Sequence, residues 1–270
     1  MVGASAVSQA SLDRVELLLP AVPVLPVPDV VERSELVLLT VPDDALADLV
    51  TGLAATGAWR PGQLVAHTSG RFGTAVLEPA LRAGAIPLAL HPAMTFTGTS
   101  LDLARLPDCC FGVTAPGPVL PVGQALVVEM GAEPVVIAEE DRALYHAALA
   151  HGSNHLVTLV AQARDLLQQA GVEHPGRVLG PLLTAALDNA LRGGDDALTG
   201  PVARGDAGTV AAHTRVLADT AERTGAADVL ASYRALARAT AERAMAAGRL
   251  DPAAAENLLA ALADPATPTS

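Results

Sequence analysis

The chain has 270 residues, 51% of them hydrophobic, and a formal net charge of −12. All 17 basic residues are arginine, which excludes a Schiff-base lysine, a phosphate-loop lysine and a lysine general acid. The acidic balance and the scarcity of aromatics (three Phe, two Tyr, one Trp) exclude a nucleic-acid surface, which needs a basic footprint and stacking platforms.

In chain order, Val2 to Ser8 reads as the end of a strand and its loop. Leu17 to Val31 is apolar but carries Pro20, Pro23, Pro26 and Pro28, so it breaks as a helix and cannot span a membrane. No basic segment precedes it, which argues against a secretory signal and for a soluble, cytoplasmic protein without membrane contact. Leu36 to Val41 is a buried strand, and Asp43 or Asp44 then caps a helix reaching Ala55. Gln63 to His67 is the next strand, followed by Thr68-Ser69-Gly70 and a helix from Thr74 to Ala83. Ile86 to His91 is a third strand, short, apolar and bounded by breakers. Phe111 to Val113 is a strand, Pro118 to Met130 a helix and Pro134 to Ile137 a strand. The adjacent Cys109 and Cys110 read as buried thiols of a reducing compartment.

This alternation implies a Rossmann-like, mostly parallel α/β sheet over residues 1–138. From residue 139 to 270 the texture is all-helical. Asp141 to Gln169 is expected as one long helix despite Gly152, followed by Val178 to Arg192, Ala207 to Thr224, Ala227 to Ala247 and Pro252 to Ala263. The tail Asp264 to Ser270 is expected to fray.

The segment that carries chemistry is His91-Pro92-Ala93-Met94-Thr95-Phe96-Thr97-Gly98. Ligands of open α/β sheets bind outside the carboxyl ends of strands, so His91 is expected at the lip of a cleft, where an imidazole donates to a carbonyl or shuttles a proton. The alternative is a histidine that satisfies a turn carbonyl. The glycine fingerprint of a dinucleotide site, G-x-G-x-x-G between a first strand and helix, is missing. The reading adopted is that the chain starts after that first βα unit, which leaves exposed strand edges. At Val2 to Ser8, the small polar Ser5 and Ser8, with no acidic residue before Asp13, favour NADP over NAD.

Three motifs in order, His91 to Gly98, Gly152-Ser153-Asn154-His155 and Leu198-Thr199-Gly200-Pro201-Val202-Ala203-Arg204-Gly205-Asp206, resemble landmarks of a bacterial Rossmann-like family. Its members pair an NADP-binding domain with a helical C-terminal domain of unknown function. They are distant relatives of pyrroline-5-carboxylate reductase, prephenate dehydrogenase and ketopantoate reductase. The resemblance implies an NADP-dependent oxidoreductase acting on a small keto- or imino-carboxylate, ketopantoate-reductase-like, and a homodimer formed through the helical domain. It further implies that Val41 and Pro42 pack against the cofactor and that Thr68, Ser69 and Gly70 line its nicotinamide side. His91 and Asn154 are implied as catalytic, and Thr95, Thr97, His151, Arg204 and Asp206 as substrate contacts.

Each assignment has a structural counterpart: Asn154 as a buried amide between helices, and Arg204 and Asp206 as an ion pair shaping a turn. His151 and His155 have the spacing of a two-histidine metal face, but no third ligand completes it in sequence, so no metal is expected. The competing class is a degenerate Rossmann binding and dimerisation module without cofactor.

Overall fold

The computed structural model describes residues 1–263; the fraying expected of Asp264 to Ser270 lies outside the described residues. The chain divides into two compact units, Met1–Asn154 and His155–Ser270.

In the first unit, helix α1 (Gln9–Leu18) is capped by Ser8, whose hydroxyl accepts the Ser11 amide at 3.2 Å. Helix α2 (Val27–Arg33) begins only past Pro26. Pro20, Pro23 and Pro26 therefore divide the apolar stretch, while Pro28 sits in the first turn of α2, where its missing amide donor costs nothing. The strand end expected at Val2 to Ser8 is reduced to a single parallel bridge between Ala4 and Val24.

Strands β1 (Leu36–Leu39), β2 (Leu64–His67), β3 (Ile86–Pro92), β4 (Cys110–Thr114) and β5 (Glu133–Val136) form one sheet in sequential order. β1, β2 and β3 are parallel, with Leu39 opposite His67 and His67 opposite Ala89. β4 runs antiparallel to β3, placing His91 opposite Gly112, and β5 is parallel to β4. Helix α3 (Asp43–Ala55) connects β1 to β2, and a 3-10 turn (Thr74–Leu77) running into α4 (Glu78–Arg82) connects β2 to β3. Between β3 and β4 lie a loop, the short α5 (Leu101–Arg105) and a 3-10 turn. After this connection the chain turns back and β4 enters antiparallel. Helix α6 (Leu120–Glu129) restores the crossover between β4 and β5.

Both faces of the central strands are covered. Val65 packs with Leu46, Val50, Leu53 and Trp59 on one side, while Ala66 joins Leu88, Phe111, Val113 and Val127 on the other. Adjacent residues pointing into opposite cores are what makes these strands read as continuous apolar runs. β1 differs: Val37 and Leu39 are buried, but Leu36 and Leu38 are exposed at the sheet edge. Cys109 is buried, whereas Cys110 is exposed. That corrects the reading of both thiols as buried, because Cys110 opens β4, where successive side chains alternate between faces.

The first unit extends past the compositional change at residue 139 because helix α7 (Arg142–Leu149) packs onto β3 and β4. The segment expected as one helix is observed as α7, a π-helical turn (Ala150–Asn154) and α8 (His155–Gln169).

The second unit contains α8, α9 (Pro175–Gly193), α10 (Gly200–Ala203), α11 (Ala207–Thr224), α12 (Ala227–Ala246) and α13 (Pro252–Ala261). Its core joins Val202, Val210, Leu250, Leu258 and Leu262 to Ala237, Ala241 and Ala244. Those three alanines recur at i, i+4 and i+7, one face of α12, and their small size lets neighbouring helices approach closely. Among the described residues no helix is long and apolar enough to cross a membrane.

Candidate functional site

The site is built where β2 and β3 end and α7 packs. His67, the last residue of β2, is fully buried. Its Nε2 lies 2.8 Å from the carbonyl oxygen of Gly73, and its Nδ1 accepts the Ser69 amide at 3.2 Å. The two backbone partners fix the neutral tautomer with the proton on Nε2, and burial pushes the pKa below its ordinary value. His67 is a strut that folds the loop after β2. Ser69 completes the loop, its hydroxyl accepting the amides of Arg71 and Phe72 at 3.2 and 3.3 Å.

The folded loop brings Gly70 against His91. A Cβ on Gly70 would come within 2.8 Å of His91 Nε2 and 2.9 Å of His146 Cδ2. Gly70 therefore packs directly against the imidazole nitrogen, with no room for a side chain between them. On the other side of the ring, His91 Nδ1 lies 2.9 Å from Tyr145 Oη. The His91 ring stands edge-to-face with Tyr145 at 5.5 Å and with His146 at 6.4 Å. Burial, then the Arg142 guanidinium and His146, lower the His91 pKa to about 4, opposed by Asp43. At neutral pH His91 is uncharged. Burial raises the Tyr145 pKa, with Arg142 opposing, so the phenol keeps its proton.

Arg142 is 1% exposed. Its Nε donates to Thr114 Oγ1 at 2.7 Å, and its Nη2 donates to the Ala89 and Gly112 carbonyls at 3.0 and 2.9 Å, bridging β3 and β4. Its Nη1 has no hydrogen-bond partner among the described residues. Glu139, just before α7, accepts the Thr74 amide at 2.7 Å, the Thr74 hydroxyl at 3.0 Å and the Ala75 amide at 3.1 Å. It ties the approach to α7 to the loop after β2. A Cβ on Gly73 would collide with this carboxylate.

Of the residues expected from sequence, the structure brings His91 and Gly70 into one constellation, with Ser69 shaping its loop. Thr68 donates its amide to the Leu39 carbonyl and is half-buried. Val41 packs against the core and Pro42 occupies the cap position of α3. Ser5 is exposed, and Ser8 caps α1. Thr95 is exposed; Thr97 is held within its own loop, donating its hydroxyl and amide to Asp102 at 2.9 and 2.8 Å. His151 and Asn154 are exposed on the π-helical turn, so Asn154 is not the buried amide of the structural alternative. In the second unit, Arg204 is exposed after α10, while Asp206 caps α11 by accepting the Thr209 amide and hydroxyl at 3.0 and 2.6 Å. Those two bonds, assisted by Arg204, hold the Asp206 carboxyl below its ordinary pKa.

Sequence reasoning missed Arg142, Tyr145, His146, Glu139 and the role of His67. One signal was available: Arg142, Tyr145 and His146 stand at i, i+3 and i+4, a polar cluster on one helical face where an amphipathic helix would turn apolar residues inward.

Two family models match the chain in succession, a Rossmann-like domain over residues 1–92 and a domain of unknown function, DUF2520, over residues 109–240. Among solved structures, the chain is similar to protein TM1727 from Thermotoga maritima, with 22% identity over 78% of each chain and a TM-score of 0.61. It is similar to BF3122 from Bacteroides fragilis, with 21% identity over 90% of this chain and 88% of that one and a TM-score of 0.71. A reductive aminase from Aspergillus terreus, in complex with NADPH and ethyl-5-oxohexanoate, shares 16% identity over 90% of this chain and 86% of its own, with a TM-score of 0.62. No curated protein matches the chain. Sheet order, helical second unit and the two successive matches agree on a Rossmann-like α/β fold followed by a helical region, with residues 1–92 similar to a Rossmann-like domain and residues 109–240 similar to DUF2520.

Proposed function

We propose that the chain is an NADP-dependent reductase that adds hydride to a small keto- or imino-carboxylate. The observation that carries the reading is the neutral His91 near the carboxyl end of β3, hydrogen-bonded to Tyr145 through Nδ1 and with its Nε2 against the loop after β2 at Gly70. A neutral imidazole N–H there donates to a carbonyl oxygen or imine nitrogen and favours the transition state in which that atom gains negative charge. The NADPH complex of the similarly folded reductive aminase supports the cofactor class.

The loop Thr68-Ser69-Gly70 after β2 is the segment that would stand beside the nicotinamide of such a dinucleotide, with Gly70 packed directly against the His91 ring. Among the described residues no glycine-rich turn stands between a strand and a helix to receive the pyrophosphate. When bound, the dinucleotide supplies the hydride, while the protein orients and polarises the acceptor. Ser5 and Ser8, in place of an acidic residue, favour the 2′-phosphate form. Ketopantoate-like acids are the first substrates to assay, and cyclic imino acids the second. A cytoplasmic homodimer completes the proposal, and Asn154, His151, Arg204 and Asp206 remain candidates for substrate contact.

The test is a fluorescence titration of the chain with NADPH and NADH, followed by NADPH oxidation with 2-dehydropantoate and a pyrroline carboxylate. Binding of NADPH, with turnover reduced about 100-fold or more in His91→Ala at unchanged cofactor affinity, supports the reading. Absence of binding to either dinucleotide overturns it and leaves a binding and dimerisation module.

A further inference from the structure

Taken with the reductase reading, on which this inference rests, a neutral His91 raises a difficulty of proton supply. An imidazole that gives up its Nε2 proton becomes an imidazolate unless another proton reaches Nδ1. The structure holds one in place. Tyr145 Oη lies 2.9 Å from His91 Nδ1, and that is its one hydrogen bond to a side chain. If Nδ1 carried the hydrogen, the half-buried phenol proton would have no protein acceptor; with Tyr145 donating, Nδ1 accepts that proton. The imidazole proton then resides on Nε2, the nitrogen that faces Gly70.

Behind this pair sits the buried Arg142. Its guanidinium stays protonated in proteins, and none of the ion pairs among the described residues includes it. Glu139 is the carboxylate whose charge acts on it, and three charge-assisted bonds to β3 and β4 offset part of the cost of its burial. Nη1 stays without a partner. The guanidinium carbon lies 5.7 Å over the Tyr145 ring. A cation in that place favours negative charge on the phenol.

We propose that Tyr145 is the proton reservoir of His91 and that Arg142 is its positioning residue, the fixed cation against which a transient phenolate forms. As hydride reaches the acceptor carbon, the Nε2–H bond of His91 breaks and an O–H or N–H bond forms on the substrate. In the same event the Oη–H bond of Tyr145 breaks and an Nδ1–H bond forms, so the imidazole exchanges tautomers without becoming charged. Water later returns the proton to the phenolate and His91 returns to its first tautomer. Tyr145 and His146 from α7, Arg142 on the same helix, Asp43 from α3 and His67 from β2 are the groups that act on His91, and Arg142 is the cation common to the histidine and the phenol.

The experiment is 15N NMR of histidine-labelled full-length protein, with His91 assigned by comparison with His91→Gln. It needs neither cofactor nor substrate, so it is independent of whether NADPH binds. In the wild type, His91 is expected with its hydrogen on Nε2 and a titration midpoint near 4. Tyr145→Phe is expected to release that tautomer into a mixture. Arg142→Met is expected to raise the midpoint, and Arg142→Lys to keep it close to the wild-type value. A His91 hydrogen on Nδ1 in the wild type overturns the proposal, whichever variants fold. An unchanged tautomer in Tyr145→Phe, or an unchanged midpoint in folded Arg142→Met, does the same.

Discussion

At the residue scale, glycine and histidine divide the work of the site. Gly70 is present because a methyl group there would meet His91 and His146 inside contact distance. Gly70→Ala is therefore expected to destabilise the protein by about 1–3 kcal/mol through overpacking, read from a denaturant midpoint, and to shift the His91 NMR signals. An unchanged midpoint would show that the rings yield freely. His67 and His91 both have pKa values below 6.5 in the fold. Between pH 6.5 and about 4 the unfolded chain therefore binds protons that folded His91 refuses, so stability falls as pH drops through that window. His91→Gln is expected to flatten this slope in denaturation curves taken across the window; a parallel slope sinks the assignment. His91 was legible in the sequence because a histidine before proline near a strand's end has a defined place at the carboxyl end of the sheet. Tyr145 and Arg142 were not, since contacts between β3 and a helix more than fifty positions later leave no spacing to read.

At the scale of elements, capping residues carry more of the architecture than their motifs advertise. Asp206, singled out in a Gly/Pro-bounded loop, binds the first turn of α11. Its replacement by Ala is expected to cost about 1 kcal/mol in thermal unfolding, with Asp206→Asn largely restoring the loss. If turnover instead falls with Asn while stability recovers, the carboxylate serves the substrate. The periodic helices and buried strands were readable because their cause is local: α11 was expected and observed over Ala207–Thr224. The antiparallel entry of β4 was not readable, because strand direction is a fact about pairing rather than about composition. Likewise α1 escaped notice because it has no fully buried residue and so no strong apolar stripe.

For the whole molecule, the uncovered edge is the main liability. β1 presents Leu36 and Leu38 outward, 40% and 55% exposed, beside unpaired backbone groups. Such an edge promotes association between chains. Leu38→Lys is expected to reduce concentration-dependent association in sedimentation velocity, and persistence of the association would place the contact elsewhere. The two thiols at the start of β4 have a practical use. Cys109 is enclosed and Cys110 open, and these are both cysteines of the chain. A maleimide dye should therefore attach at one position, two residues from Gly112, which lies under the Tyr145 phenol. With no lysine to compete for amine-reactive reagents, the α-amino group and this thiol become two orthogonal handles. A fluorophore pair on them needs no engineered residue, and its thiol-linked dye sits close enough to the imidazole–phenol pair to report a ligand's arrival optically.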